Sequence, residues 1–196
     1  GTNLFFEGFP YQSRMTTHNA SWAVPDSAAA ATAIATGWKV NSCVLSLALP
    51  GDASELETLL EHFKKLGKST GLVTTSYLTD ATPAAFGAHD ESRYNYALIA
   101  ADYLNQTRPN VLMGGGLTGL DAETAAAAGY AVVTDRASLV ELDVSLQPRV
   151  CGLFGWGYLP YEYDGLGALP SLSDMTVKAL DVLRRDPDGF FLMVDG

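Results

Sequence analysis

The chain has 196 residues, 47% hydrophobic and 17% charged, which is enough apolar surface for one sizeable core and too little charge for a disordered segment. Twelve Lys and Arg against 22 Asp and Glu leave a formal charge of −10, the wrong sign for a general nucleic-acid binder or a reader of anionic membranes. Any anion the protein handles must therefore meet a local positive site.

In chain order, the run VPDSAAAATAIATG, Val24 to Gly37, sets Asp26 and Ser27 immediately before an alanine-rich helix closed by Gly37. A second helix is predicted from Asp52 as N-cap, with Glu55 three residues on and Leu56, Leu59, Leu60 and Phe63 on one face before Gly67. GLVTT, Gly71 to Thr75, then reads as a strand buried on both faces. The alternation repeats: a helical stretch from Glu91 to Gln106 leads into the strand Val111–Gly115, and a helix from Ala122 to Ala128 into Ala131–Thr134. A short helix near Ser138 to Leu142 precedes the strand Arg149–Phe154. A last helix carries Leu172, Met175, Ala179, Leu180 and Leu183 before the turn DPDG and a buried strand, Phe190 to Val194. Strands separated by helices need crossovers, so the prediction is an α/β fold: a three-layer α/β/α sandwich with a mostly parallel central sheet. The segment between Gly155 and Pro170, full of Gly, Pro, Tyr and Trp, reads as a long loop. The last strand ends at Asp195, and residues just past a strand's carboxyl end line the crevice of an open α/β sheet.

Two cysteines, Cys43 and Cys151, make neither a disulfide framework nor a cysteine zinc site, and their pairing is open without geometry. Three histidines, His18, His62 and His89, stand far apart with no ligand spacing, so most zinc ligands, if zinc is used, lie elsewhere. No stretch approaches the roughly 20 apolar residues of a membrane span, and the start shows neither the charged nor the apolar region of a signal peptide.

Ser27 at a helix N-terminus meets free N–H groups and the positive dipole end, which favour a phosphate or a serine alkoxide; the plainer alternative is that Asp26 or Ser27 only caps the helix. The segment Thr74 to Arg93 offers Asp80 and Thr82, oxygen donors two residues apart that suit a hard cation such as Mg²⁺, and Arg93, whose planar guanidinium suits bidentate phosphate recognition. Its alternative is a polar loop opening a helix at Thr82-Pro83, with Arg93 on a solvated face. His89 reads as a hydrogen-bonded structural residue, and Gly114 to Gly116, which lack phosphate-loop spacing, as a strand-end turn. Trp22, Trp38, Trp156 and the tyrosines from Tyr158 to Tyr163 could line a substrate mouth, but core or loop packing is the role expected of them.

Together these residues resemble the alkaline phosphatase family. The pattern V-x-D-S-A-x-x-x-T-A-x-x-T-G-x-K is met by Val24, Asp26, Ser27, Ala28, Thr32, Ala33, Thr36, Gly37 and Lys39. A second family segment is met by Gly67 to Thr75, Asp80 to Ala85 and Arg93, and NVLMGGG, LFGWGYLPYEYD and GFFLMVDG follow in the family's order. The resemblance implies phosphomonoester hydrolysis with Ser27 as nucleophile, a phosphoserine intermediate, and Arg93 clamping two phosphate oxygens with Asp26 orienting it. It implies two Zn²⁺, one of them on Ser27, and one Mg²⁺ held by Thr82, by Asp80 through water, and by Asp195 where the family has Glu. It further implies small phosphate monoesters as substrates, a homodimer, and a periplasmic, extracellular or cell-surface location. The family's first metal-binding Asp belongs before Gly1 and its remaining zinc ligands after Gly196, so residues 1–196 read as a partial catalytic domain with little activity alone. The alternatives are a non-catalytic phosphate- or metal-binding homologue and a phosphodiesterase or sulfatase-like member of the same superfamily.

Overall fold

A computed structural model describes residues 4–116 and 118–196. Five strands form one parallel sheet in the order β3-β4-β2-β1-β5: β1 is Ser69–Tyr77, β2 Val111–Gly115, β3 Ala131–Val133, β4 Val150–Phe154 and β5 Phe190–Asp195. Side chains alternate between the faces, as the two-residue period of a strand requires. Leu72, Leu112, Cys151 and Met193 enter one core. Val73, Val111, Met113, Val150 and Phe154 enter the other.

The first core is covered by α1 (Ser27–Thr36), α2 (Leu59–Lys65), α3 (Ala81–Gly87), α4 (Tyr96–Asp102) and α5 (Ala122–Ala127); the second by α6 (Arg136–Glu141) and α7 (Leu172–Leu183). This is the three-layer α/β/α arrangement expected of the alternating pattern. Helix α1 begins where Asp26 accepts from Ala29 N and ends at Gly37, whose φ of 80° allows its N–H to close on Ala33 O. Ala28, Ala31 and Ala35 of α1 share the core with Ala81, Ala84 and Ala85 of α3. Such small side chains let the two helices pack closely, so their N-termini open side by side.

Three elements depart from the sequence reading. Helix α2 starts at Leu59 instead of just after Asp52, because Asp52 accepts from Ser54 N in a local turn and Glu55 bridges to Leu47; Thr58 and Glu61 form the capping box. The stretch from Glu91 becomes helical only at Tyr96, because the Asp90 carboxylate gathers Ser92 N (2.8 Å) and Asn95 Nδ2 (2.6 Å) into a turn. After α4 the chain widens into a π turn, Tyr103–Thr107, ended by Arg108 at φ 44°. Strand β5 is an edge strand in which only Met193 is buried, so it is not sealed on both faces. Nor do the tryptophans join the core: Trp22, Trp38 and Trp156 are all exposed. Cys43 and Cys151 are free thiols.

Candidate active site

The carboxyl ends of β1 and β5 carry the polar crevice. Ser27 is the exposed first residue of α1, and Arg93 Nη1 donates to its Oγ. Arg93 lies on the loop before α4, where its N–H donates to Cys43 O (2.8 Å); its side chain is only 16% exposed, which excludes the solvated-face alternative. Its Nη2 donates to Asp80 Oδ1 at 2.6 Å, whereas Asp26 Oδ2 stands 3.7 Å from Nη1. Asp26 is spent on the backbone instead, accepting from Ala29 N (3.2 Å) and Cys43 N (3.1 Å). Burial works against the Arg93 charge, but Asp80, then Tyr77 and Asp26, more than offset it and raise its pKa.

Asp80 caps α3 through Ala81 N (2.7 Å) and accepts from Ser76 Oγ (2.6 Å), so its two oxygens serve three donors. Thr82 is the second residue of α3 and is half-buried. Across the β1–β5 pairing Thr74 stands opposite Asp195, and Thr74 Oγ1 donates to Asp195 Oδ2 at 3.2 Å. Burial raises the Asp195 carboxyl; the Thr74 bond opposes this, and the negative charge of Asp80 adds to it. Thr74 and Ser76, which the sequence reading passed over, are the hydroxyls that hold these carboxylates. The alternation of GLVTTSY was the signal available, since Thr74 and Ser76 share a strand face.

Behind Arg93, a buried polar network fixes the loop. Leu45 and Asp90 exchange backbone hydrogen bonds at 2.9 and 3.0 Å. Ser46, fully buried with φ 45°, donates its N–H to Thr32 Oγ1 (3.0 Å) and its hydroxyl to Ala85 O (2.6 Å), joining α1 to α3. His89 Nδ1 lies 2.8 Å from Ser46 O and Nε2 3.1 Å from Glu61 Oε1. Both ring nitrogens face acceptors, so the geometry favours the doubly protonated ring. Burial would lower the His89 pKa, but Glu61 and Ser46 O raise it. Burial would likewise raise Glu61, yet His89 and Thr58 hold it at about 2.

Oxygen donors around a carboxylate pair, one of them raised by burial and by its neighbour's charge, are a donor set that fits Mg²⁺. Among the described residues no group of three or more His, Cys, Asp or Glu is placed to hold a metal ion, so the Mg²⁺ donor set rests on two carboxylates with hydroxyl oxygens, and the nitrogen and sulfur ligands zinc favours are not gathered here.

A parallel sheet covered on both sides, with a serine and an arginine meeting at the mouth of two helix N-termini, defines a layered α/β protein whose polar crevice sits at the strands' carboxyl ends. The alkaline phosphatase family model matches residues 1–124 and 114–196, and the chain belongs to that family. It is 44% identical over 184 residues to alkaline phosphatase 3 of Bacillus subtilis, covering 88% of this chain and 39% of that protein. A cold-active alkaline phosphatase from the psychrophile Shewanella sp. superposes with a TM-score of 0.83 at 37% identity, over 92% of this chain and 45% of its own. A variant of the TAB5 alkaline phosphatase, described with Mg bound in its M3 site, superposes with a TM-score of 0.78 at 26% identity, over 92% of this chain and 53% of its own.

Proposed function

We propose that this chain carries the nucleophile and the phosphate clamp of a phosphomonoesterase. The observation that carries the reading is Arg93 held by Asp80 and donating to Ser27 Oγ at the N-terminus of α1. Ser27 Oγ attacks phosphorus, the Oγ–P bond forms as the ester P–O bond breaks, and the leaving alcohol takes a proton; water then cleaves the phosphoserine and frees inorganic phosphate. Arg93 supplies two parallel donors to the non-bridging oxygens, and the α1 N-terminus adds its dipole to the charge on them. Asp80 and Ser76 keep the guanidinium plane fixed, so little order has to be created when substrate arrives.

Thr82, Asp80 and Asp195 would hold Mg²⁺, which offsets the carboxylate charge beside a phosphate dianion. Mg²⁺ in the TAB5 variant supports that assignment. Zinc ligands would be drawn from elsewhere in the complete protein, whose relatives are more than twice this length. On this reading residues 1–196 form part of a catalytic domain, and the substrates are small phosphate monoesters.

The test is Ser27→Ala in the complete protein, with phosphoserine read by mass spectrometry after acid quench. Loss of the phosphoenzyme and a fall in kcat on the order of 10⁴ or more are expected for a lost nucleophile. Phosphate trapped on another residue would sink the assignment.

A further inference from the structure

At the amino end of the sheet, about 20 Å along β1 from the crevice, three cations converge. Lys64 Nζ of α2 donates to Thr107 O, next to Arg108. Arg108 Nη2 donates to Ala128 O at 3.2 Å, and Tyr130 OH returns to Pro109 O at 2.8 Å. Tyr130 adjoins Arg149 across the sheet, where Ala131 N donates to Arg149 O at 2.9 Å. The same level of the sheet includes Thr70, because Asn110 N donates to Thr70 O (2.7 Å) and Val150 N to Asn110 O (2.9 Å). Leu72 and Cys151 face the core under α1–α5, so Thr70 and Arg149, two residues earlier, face the same way.

None of these three cations has an ion-pair partner among the described residues. The nearby Glu61 carboxylate is committed to His89 and Thr58. Three buried side-chain atoms in the described structure lack a hydrogen-bond partner: Thr70 Oγ1, Arg108 Nε and Arg149 Nε. All three belong to this one place. Buried guanidinium donors and packed like charges are both costly, and burial together with Arg149 and Arg108 depresses the Lys64 pKa. A single ligand would relieve every one of these costs if it were anionic, offered several acceptors and came from solvent. Lys64 also lines, with Glu61, Lys65, Gln106 and Thr107, an open depression of about 330 Å³ beside the cluster.

We propose that Lys64, Arg108, Arg149 and Thr70 form a second oxyanion site, for a free tetrahedral anion of the size of phosphate or sulfate, separate from Ser27. It satisfies in an acidic protein the requirement that an anion meet a local positive cluster, and it stands whether or not Ser27 is a nucleophile.

The experiment is calorimetric titration of inorganic phosphate into the complete protein carrying Arg93→Ala, which removes the clamp at Ser27. One binding event should remain. Adding Arg149→Gln should weaken it about tenfold or more, the loss of a charged hydrogen-bond donor, while Arg149→Lys, which keeps the charge and loses Nε, should fall between. In the protein with Arg93 intact, Arg149→Gln should leave hydrolysis of a phosphomonoester unchanged. Where Arg149→Gln does not fold, Lys64→Gln carries the same readout from a half-exposed position. Equal phosphate affinity with and without these substitutions overturns the proposal, as does a crystal structure of the complete protein with one of its own carboxylates on Arg108 Nε and Arg149 Nε.

Discussion

The two faces of the sheet are built by different rules. Under α6 and α7 the core is apolar throughout, with Val73, Met113, Val150, Phe154, Met175 and Leu183 filling it. Under α1–α5 alanines alternate with buried Thr32, Ser46, Thr58 and Thr107, and an imidazolium–carboxylate pair runs between them. The first arrangement rests on burial of apolar area alone, which is non-directional and tolerates repacking. The second spends burial on hydrogen bonds that work in one geometry only, and it lies behind the loop that aims Arg93. Aim is thus concentrated on the α1–α5 side, which carries this polar network beside a large apolar core of its own.

Substitutions on the two faces test this division. Leu183→Ala, in the apolar face, should cost about 2–5 kcal/mol in urea unfolding and, on the proposed function, leave phosphomonoester kcat/KM of the complete, still-folded protein within a few-fold; a collapse of activity at a temperature where the fold persists would break the contrast. Glu61→Gln should cost on the order of 3 kcal/mol, since it strands the His89 charge, and should also reduce kcat/KM through Arg93.

The same pair sets a pH signature. His89 has a folded pKa above the ordinary imidazole value of 6.5, so its contribution is complete below that value and is lost as pH rises through the raised one. Glu61, lowered from 4.5 to about 2, contributes above 4.5 and loses its contribution as pH falls toward 2. The clamp is therefore strongest between 4.5 and 6.5, and His89→Gln should flatten the alkaline decline of the urea midpoint. An unchanged slope would show that the ring does not titrate with folding. The smallest effect belongs to Arg136→Ala: it breaks a solvent-exposed pair with Asp174 and should leave the urea midpoint and the activity nearly unchanged.

Much of this was legible in the sequence, and unevenly. The strands were readable because Val111–Gly115 and Val150–Phe154 are short apolar runs with no polar competitor, and α1 because Asp26 and Gly37 mark its ends chemically. Helix α2 was placed too early because Asp52 and Glu55 imitate a capping box, and the distinction from Thr58 and Glu61 rests on a bridge between Leu47 and Glu55 that local pattern does not encode. Motif spacing singled out Ser27, Asp80 and Arg93, which the structure brings together. It could not reveal that Asp80 stands closer to Arg93 than Asp26 does, because that depends on how α1 and α3 pack. The cation cluster was equally hidden: Lys64, Arg108 and Arg149 are far apart in the chain and meet only through strand register.

The pairing of β1 with β5 has a kinetic consequence. Thr74 and Asp195 are 121 positions apart, and every rung between those strands spans the same interval. At ribosomal rates of about 5–20 residues per second, β1 waits about 6 to 24 s for its outer neighbour. During that interval its unpaired amides are a template for any other strand, and the crevice lacks one of its walls. The nascent chain thus acquires Ser27 and Arg93 early and Asp195 late, so a chaperone that shields the β1 edge would raise the yield of folded protein more than one acting on the α7 face.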